Sequence, residues 1–187
     1  MLEIHMELSK KTKAALWWQR IKGKDHFSDQ PMALSNQGQS PGRFLIILPE
    51  RSIESDLARH FVHTMRNALG PMGVNQMRII GPAPIGNLLD LSDYHDFILY
   101  SEKDLNRWGL PGKELIWSCQ RIQVDAVLDL NQSFSPVSAT LCQTVTAKMK
   151  IGFYSKDGEP YYNIMVKRKG EELAESVFKE IFQILGI

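Results

Sequence analysis

Apolar residues along this chain fall into two kinds of run that alternate. Short continuous stretches rich in β-branched and aromatic residues, at Phe44 to Leu48, Met77 to Ile80, Phe97 to Tyr100, Val124 to Leu130, Met149 to Tyr154 and Tyr161 to Val166, read as strands buried in a sheet. Between them, apolar positions three and four apart read as helices. One starts at Ser52 or Ser55, either of which can cap it, and turns Leu57, Phe61, Val62, Met65, Ala68 and Leu69 inward before Gly70-Pro71 stops it. Others cover Lys113 to Ile122, Val137 to Ala147 and Glu171 to Leu185. The stretch Val124 to Tyr154 is a complete strand-loop-helix-strand unit, and such a crossover joins parallel strands. The alternation predicts a three-layer α/β domain over residues 43–187, with a mostly parallel open sheet and helices on both faces.

Ahead of that domain the period changes. Residues 1–24 predict a basic amphipathic helical arm, helical from Glu7 to Lys22, with Leu8, Ala14, Ala15, Trp17, Trp18 and Ile21 on one side and lysines largely elsewhere. Residues 25–42, rich in Ser, Gln, Asn, Gly and Pro, predict a linker or surface loop. Fully burying a side chain such as Trp17, Trp18 or Ile21 is worth roughly 1.5–3 kcal/mol, so all three are expected to be covered. The cover is the chain's own domain, a second copy, a protein partner, or an anionic membrane surface at which the tryptophans would sit.

Composition narrows the choice. With 22 basic and 21 acidic residues the chain carries a formal charge of +1, which disfavours nucleic acid as a partner. The longest apolar run is far shorter than the ~20 residues of a membrane span, and the N-terminus lacks a signal-peptide core. A cytoplasmic protein, possible also at the inner membrane surface through its arm, is expected. Cys119 and Cys142 read as buried small hydrophobes, without disulfide or metal.

Candidate chemistry gathers at two strand ends. Glu50, Ser52, Glu54 and Asp56 follow the first strand, and Asp129, Asn131, Gln132 and Ser133 end the central one. If those strands are adjacent and parallel, both groups open on one sheet edge and can hold a small polar ligand. The same residues also suit a purely structural part: Ser52, Ser55 and Ser133 as caps, Glu54 and Asp56 as helix-dipole partners, and Asp129 as a buried carboxylate tying the loop together. The turn Pro49-Glu50-Arg51-Ser52 lacks the glycines of a phosphate loop, so no nicotinamide, flavin or other cofactor is expected. His60 and His63 lack a further ligand at metal spacing, and no serine or cysteine sits in a nucleophile motif. Trp108 is expected to anchor the turn from Trp108 to Gly112.

Two resemblances attach to these residues. The first strand with its Ser-Ile-Glu-Ser-Asp turn, then Asp-Ala-Val-Leu-Asp-Leu-Asn and Ala-Lys-Met-Lys-Ile-Gly-Phe, resembles the N-terminal, Rossmann-like half of heptosyltransferase-like glycosyltransferases. That resemblance implies a sugar-phosphate or nucleotide-sugar ligand and gives Asp56 the acid's part in acceptor activation; Asp129, from its place at the strand end, is the second catalytic candidate. The turn here has Glu54-Ser55 where that family favours glycine, and the family's donor-binding domain has no counterpart in these 187 residues. The chain from Ile79 onward is also similar to a family of small bacterial α/β proteins of unknown function, through Lys103-Asp104-Leu105-Asn106 with Trp108 and Gly109, Asp129-Leu130-Asn131, Ala147 to Gly152, and Tyr162 to Met165. With no nucleophile, metal or phosphate signature in the chain, the expected function is a non-catalytic binding or accessory module, and the first resemblance implies the alternative, a glycosyltransferase-like domain.

Overall fold

The computed structural model describes residues 11–16, 42–89, 94, 96–167 and 174–187. Six strands, β1 (Phe44–Ile47), β2 (Met77–Pro82), β3 (Phe97–Tyr100), β4 (Ala126–Asp129), β5 (Met149–Phe153) and β6 (Ile164–Val166), form one sheet in the order β3-β2-β1-β4-β5-β6. Every pairing is parallel, with Ile46 opposite Ile79 on one side and Leu128 on the other. Among the described residues four longer helices, α1 (Ser55–Leu69), α2 (Lys113–Gln120), α3 (Pro136–Thr144) and α4 (Ala174–Leu185), cover the two faces. The fold is Rossmann-like α/β.

β1 and β4 are buried at every position because the sheet is covered on both sides, which is why neither shows polar alternation. Phe44, Ile46 and Leu48 point to the face held by α1 and α4, where Phe61 of α1 meets the ring of Phe178 at 4.6 Å and stacks on Phe182 at 5.0 Å. Leu45, Ile47 and Val127 point to the other face, against Leu115 and Cys119 of α2 and Leu141 and Cys142 of α3. Burial pushes both thiols up to about 12, so they behave as the small hydrophobes the sequence suggested. Residues 11–16 are helical, and Leu16, which was not on the apolar side expected for the arm, is buried in this second core. Trp17, Trp18 and Ile21 lie outside the described residues.

Several element ends differ from expectation for local reasons. Gly70, at φ 71°, does terminate α1, but the start of that helix is preceded by a 3-10 turn at Ser52–Glu54 with no side-chain cap. Ser55 Oγ instead donates to the Ser52 carbonyl at 2.7 Å, so the expectation that Ser52 or Ser55 caps α1 is corrected. α3 stops at Thr144 because the β-branched Val145 is already extended. β6 begins at Ile164, not Tyr161, since the amides of Tyr161 and Tyr162 both bond the Gly158 carbonyl in a turn. No helix among the described residues is long and apolar enough to cross a membrane.

The chain runs from β1 outward through β2 and β3, then returns to place β4 against β1's other edge. The strand order therefore reverses between β1 and β4, and their carboxyl ends flank the crevice such a reversal creates.

Candidate functional site

Asp129 closes β4 opposite Ile47 and is only 3% exposed. Four donors meet its carboxylate. Oδ1 accepts from the Asn131 backbone N–H at 3.0 Å and from Asn131 Nδ2 at 2.8 Å, closing an Asx-type turn. Oδ2 accepts from Ser138 Oγ at 2.6 Å and from the hydroxyl of Tyr162. Asn131 carries the tie across to β1: its Oδ1 accepts from the Glu50 N–H at 2.9 Å, and its Nδ2 reaches the Leu48 carbonyl at 3.4 Å.

The helix behind this loop is fixed by the same groups. Ser135 Oγ accepts from the Ser138 N–H at 3.1 Å as the N-cap of α3, and donates to Glu50 Oε1 at 2.7 Å. Glu54 Oε2 accepts from the Gln132 N–H at 3.4 Å, and its Oε1 faces Arg51 Nη1 at 3.7 Å. Tyr162 reaches Asp129 because Gly152 on β5 leaves room for its ring: a Cβ there would stand 2.9 Å from Tyr162 Cδ1.

Burial sets the electrostatics. Desolvation raises the Asp129 carboxyl above the usual aspartate range, against the opposing hydrogen bonds from Ser138, Tyr162 and Asn131. Desolvation likewise raises Glu50, aided by the charges of Asp129 and Glu54 and opposed by Ser135. It raises Glu54 too, opposed by the Gln132 amide and Arg51. A proton on Asp129 has somewhere to point: Ser138 Oγ also lies 3.3 Å from the Ser135 carbonyl, so its hydrogen can turn there and leave its oxygen to accept. Among the described residues, one buried hydroxyl has no hydrogen-bond partner. Tyr100, at the end of β3, is 4% exposed and its hydroxyl has no hydrogen-bond partner, while burial and then the charges of Glu50 and Asp129 push its ionisation upward.

This geometry can be set beside known proteins. Residues 84–187 match the model of a family of unknown function, DUF6913. The chain belongs to that family. No curated protein matches the chain. Among solved structures, the glycosyl transferase family 9 protein from Veillonella parvula DSM 2008 aligns with a TM-score of 0.51 at 12% identity, over 78% of this chain and 41% of that one. The E. coli heptosyltransferase WaaC with ADP aligns at 0.51 and 15%, over 75% of this chain and 45% of that one. The same enzyme with ADP-2-deoxy-2-fluoro heptose aligns at 0.53 and 16%, over 77% and 48%. The chain spans less than half the length of each structure it matches, and at these identities the likeness is one of fold.

Within this α/β frame, the expected site residues separate into two sets. Glu50, Glu54, Asp129, Asn131 and Gln132 come together at the crevice between β1 and β4. Ser52 and Ser133 are exposed, and it is Ser135, not Ser133, that caps α3. Asp56 stands apart on the solvent side of α1, 88% exposed and 3.3 Å from Arg59. The Trp108 turn is corrected as well. Leu110 and Pro111 are its buried anchors, and Asn106 Oδ1 accepts from the amides of Trp108 and Leu110, while Trp108 is exposed under the guanidinium of Arg107 at 4.2 Å. Sequence reasoning missed Tyr100, Ser135, Ser138 and Tyr162 as members of the cluster. Ser135 carried a usable signal, since a serine directly before proline is a helix-start pattern.

Proposed function

We propose that this chain is a non-catalytic α/β binding module of the cytoplasm, an accessory unit that works through contact. One observation carries the reading: the buried acid at the switch point, Asp129, has both oxygens taken by four internal donors and is 3% exposed. A general acid or base must lie within hydrogen-bond reach of the substrate proton it moves, and Asp129 is instead turned into the fold. The N-terminal helix is the proposed contact element, meeting a protein partner or a second copy of the chain through Trp17, Trp18 and Ile21. Leu16 buried beside α2 and α3 supports an arm held at that face, with the exposed Lys11 and Lys13 as its charged side.

A second reading is a glycosyltransferase-like domain that binds a sugar phosphate or nucleotide sugar. It is favoured by the fold likeness to the glycosyl transferase structures. Calorimetric titration of the full chain with a panel of nucleotide sugars separates the two. The proposal expects no saturable heat. Tight binding that disappears in folded Asp56→Ala or Asp129→Ala variants overturns it. Light scattering of the full chain, with flotation on anionic vesicles, tests the arm: a dimer supports contact between copies, and a monomer that floats with the vesicles transfers the contact to the membrane surface.

A further inference from the structure

A cavity of about 200 Å³ opens where β5 and β6 end, lined by Gln132, Phe153, Tyr154, Val166 and Lys167. Phe153 and Val166 are the last residues of the two strands and register partners, and both are buried, so they give the cavity an apolar floor. The ladder runs one residue further, with the Tyr154 N–H donating to the Val166 carbonyl at 2.9 Å. Just past the strand ends the exposed Tyr154 and Lys167 meet, Lys167 Nζ lying 5.5 Å from the centre of the Tyr154 ring, which holds the ammonium beside the cavity. Gln132 comes from the loop after β4, where its N–H donates to Glu54 Oε2 at 3.4 Å. Lys167 is the one charged residue of the lining, and among the described residues no carboxylate is paired with it.

We infer that this cavity binds a small organic monocarboxylate, its apolar body on Phe153 and Val166 and its carboxylate paired with the Lys167 ammonium. Place, size and charge each narrow the class. The carboxyl ends of parallel strands are where open α/β sheets take ligands. A cavity of about 150 Å³ holds one benzene molecule, so this one takes a single ring or a short branched chain with its acid group, and a nucleotide is too large. A phosphate is the poorer fit, because its oxygens call for several backbone N–H groups or an arginine fork, and this lining offers one lysine. Glu54, bonded to the Gln132 N–H, adds a nearby negative charge that weighs more against a dianion than a monoanion. A neutral hydrocarbon would cover the floor and leave the lysine without a counter-charge. The site is distinct from the N-terminal arm and goes beyond the reading of the chain as a contact module, without depending on it.

The full chain, labelled for heteronuclear NMR, is titrated at neutral pH with benzoate and with 3-methylbutanoate, each to about 10 mM. Benzyl alcohol serves as the neutral counterpart and phenyl phosphate as the dianion. Saturable binding of at least one carboxylate is the expected result, with the largest shifts on the amides of Gln132, Phe153, Tyr154 and Lys167. Its affinity should exceed that of benzyl alcohol and of phenyl phosphate by about fivefold or more, and should fall by about fivefold or more in Lys167→Met. Lys167 is exposed, so that variant is expected to fold, and an unchanged strand-amide spectrum checks it. Saturation by neither carboxylate, shifts centred elsewhere on the chain, equal or tighter binding of the alcohol or the phosphate, or unchanged carboxylate affinity in folded Lys167→Met each overturns the inference.

Discussion

Replacing Asp129 tests whether the acid at the switch point is a structural tie. In Asp129→Ala, the Ser138 and Tyr162 hydroxyls and Asn131 Nδ2 lose an acceptor inside a site that is 3% exposed, and a small void opens. Leaving such a network half satisfied costs roughly 3–5 kcal/mol. Asp129→Asn keeps the oxygen that serves Asn131 but puts an amide N–H₂ toward Ser138 and Tyr162. Ser138 can turn its hydrogen to the Ser135 carbonyl, 3.3 Å away, whereas Tyr162 cannot be rescued that way, so the cost is about 1–3 kcal/mol. The exposed Asp56→Ala serves as a control and should stay within about 0.5 kcal/mol of wild type. Urea denaturation followed by far-UV circular dichroism, at constant m-value, measures all three. The pH dependence adds a sign. Because the folded Asp129 carboxyl is raised above its unfolded value, its contribution is fully present below the ordinary aspartate range and is lost as pH rises through the folded value. The gap between wild type and Asp129→Asn should therefore be widest in acid and narrow toward neutrality. Equal stability of Asp129→Ala and Asp56→Ala would refute the reasoning.

Three other substitutions probe the surroundings. Tyr100→Phe removes a buried hydroxyl without a partner and should stabilise the ligand-free chain by about 1–3 kcal/mol in the same assay; a loss of stability would mean that the hydroxyl is bonded in solution. Gly152→Ala places a Cβ 2.9 Å from Tyr162 Cδ1 and should cost about 1–3 kcal/mol, with an altered near-UV tyrosine signal; an unchanged midpoint contradicts the packing. Lys150 is buried, its ammonium pulled below the usual lysine value by desolvation, with Nζ donating to the Gln143 carbonyl at 3.3 Å. Lys150→Met should stabilise the chain at neutral pH, by about 1–4 kcal/mol, and the gain should shrink as pH rises toward the ordinary lysine value, where the unfolded chain also loses its proton.

The sheet was legible because its signal is simple. Strands covered on both faces are continuously apolar, and β1 and β4 are buried at every position. That β1 and β4 are neighbours was only a condition in the sequence reading, because parallel order does not say which strands pair; the structure supplies it, and with it the nearness of the loops that carry Glu50 and Asn131. The rest of the cluster was not legible, for a reason of distance along the chain. Tyr162 bonds Asp129 across 33 residues, and Ser135 bonds Glu50 across 85, and no local period encodes such pairs. Caps were misread where several serines competed. Ser52, Ser55 and Ser133 each had the right residue type, but only the geometry of the turn decides which oxygen faces an amide, and at α3 that is Ser135. The arm was read from its tryptophans, while the buried residue in its described part is Leu16.

Amide hydrogen exchange in wild type and Asp129→Ala tests the structural role of Asp129 most directly. The Asn131 N–H bonds Asp129 itself, the Glu50 N–H bonds Asn131 Oδ1, and the Ser138 N–H bonds Ser135 Oγ. With Asp129 as the tie between the loops after β1 and β4, these three amides should lose protection well beyond the general fall recorded by the strand amides of Ile46 and Leu128. If they keep their wild-type protection relative to those strands, Asp129 does not hold the crevice together, and its burial has to be explained by a role in chemistry.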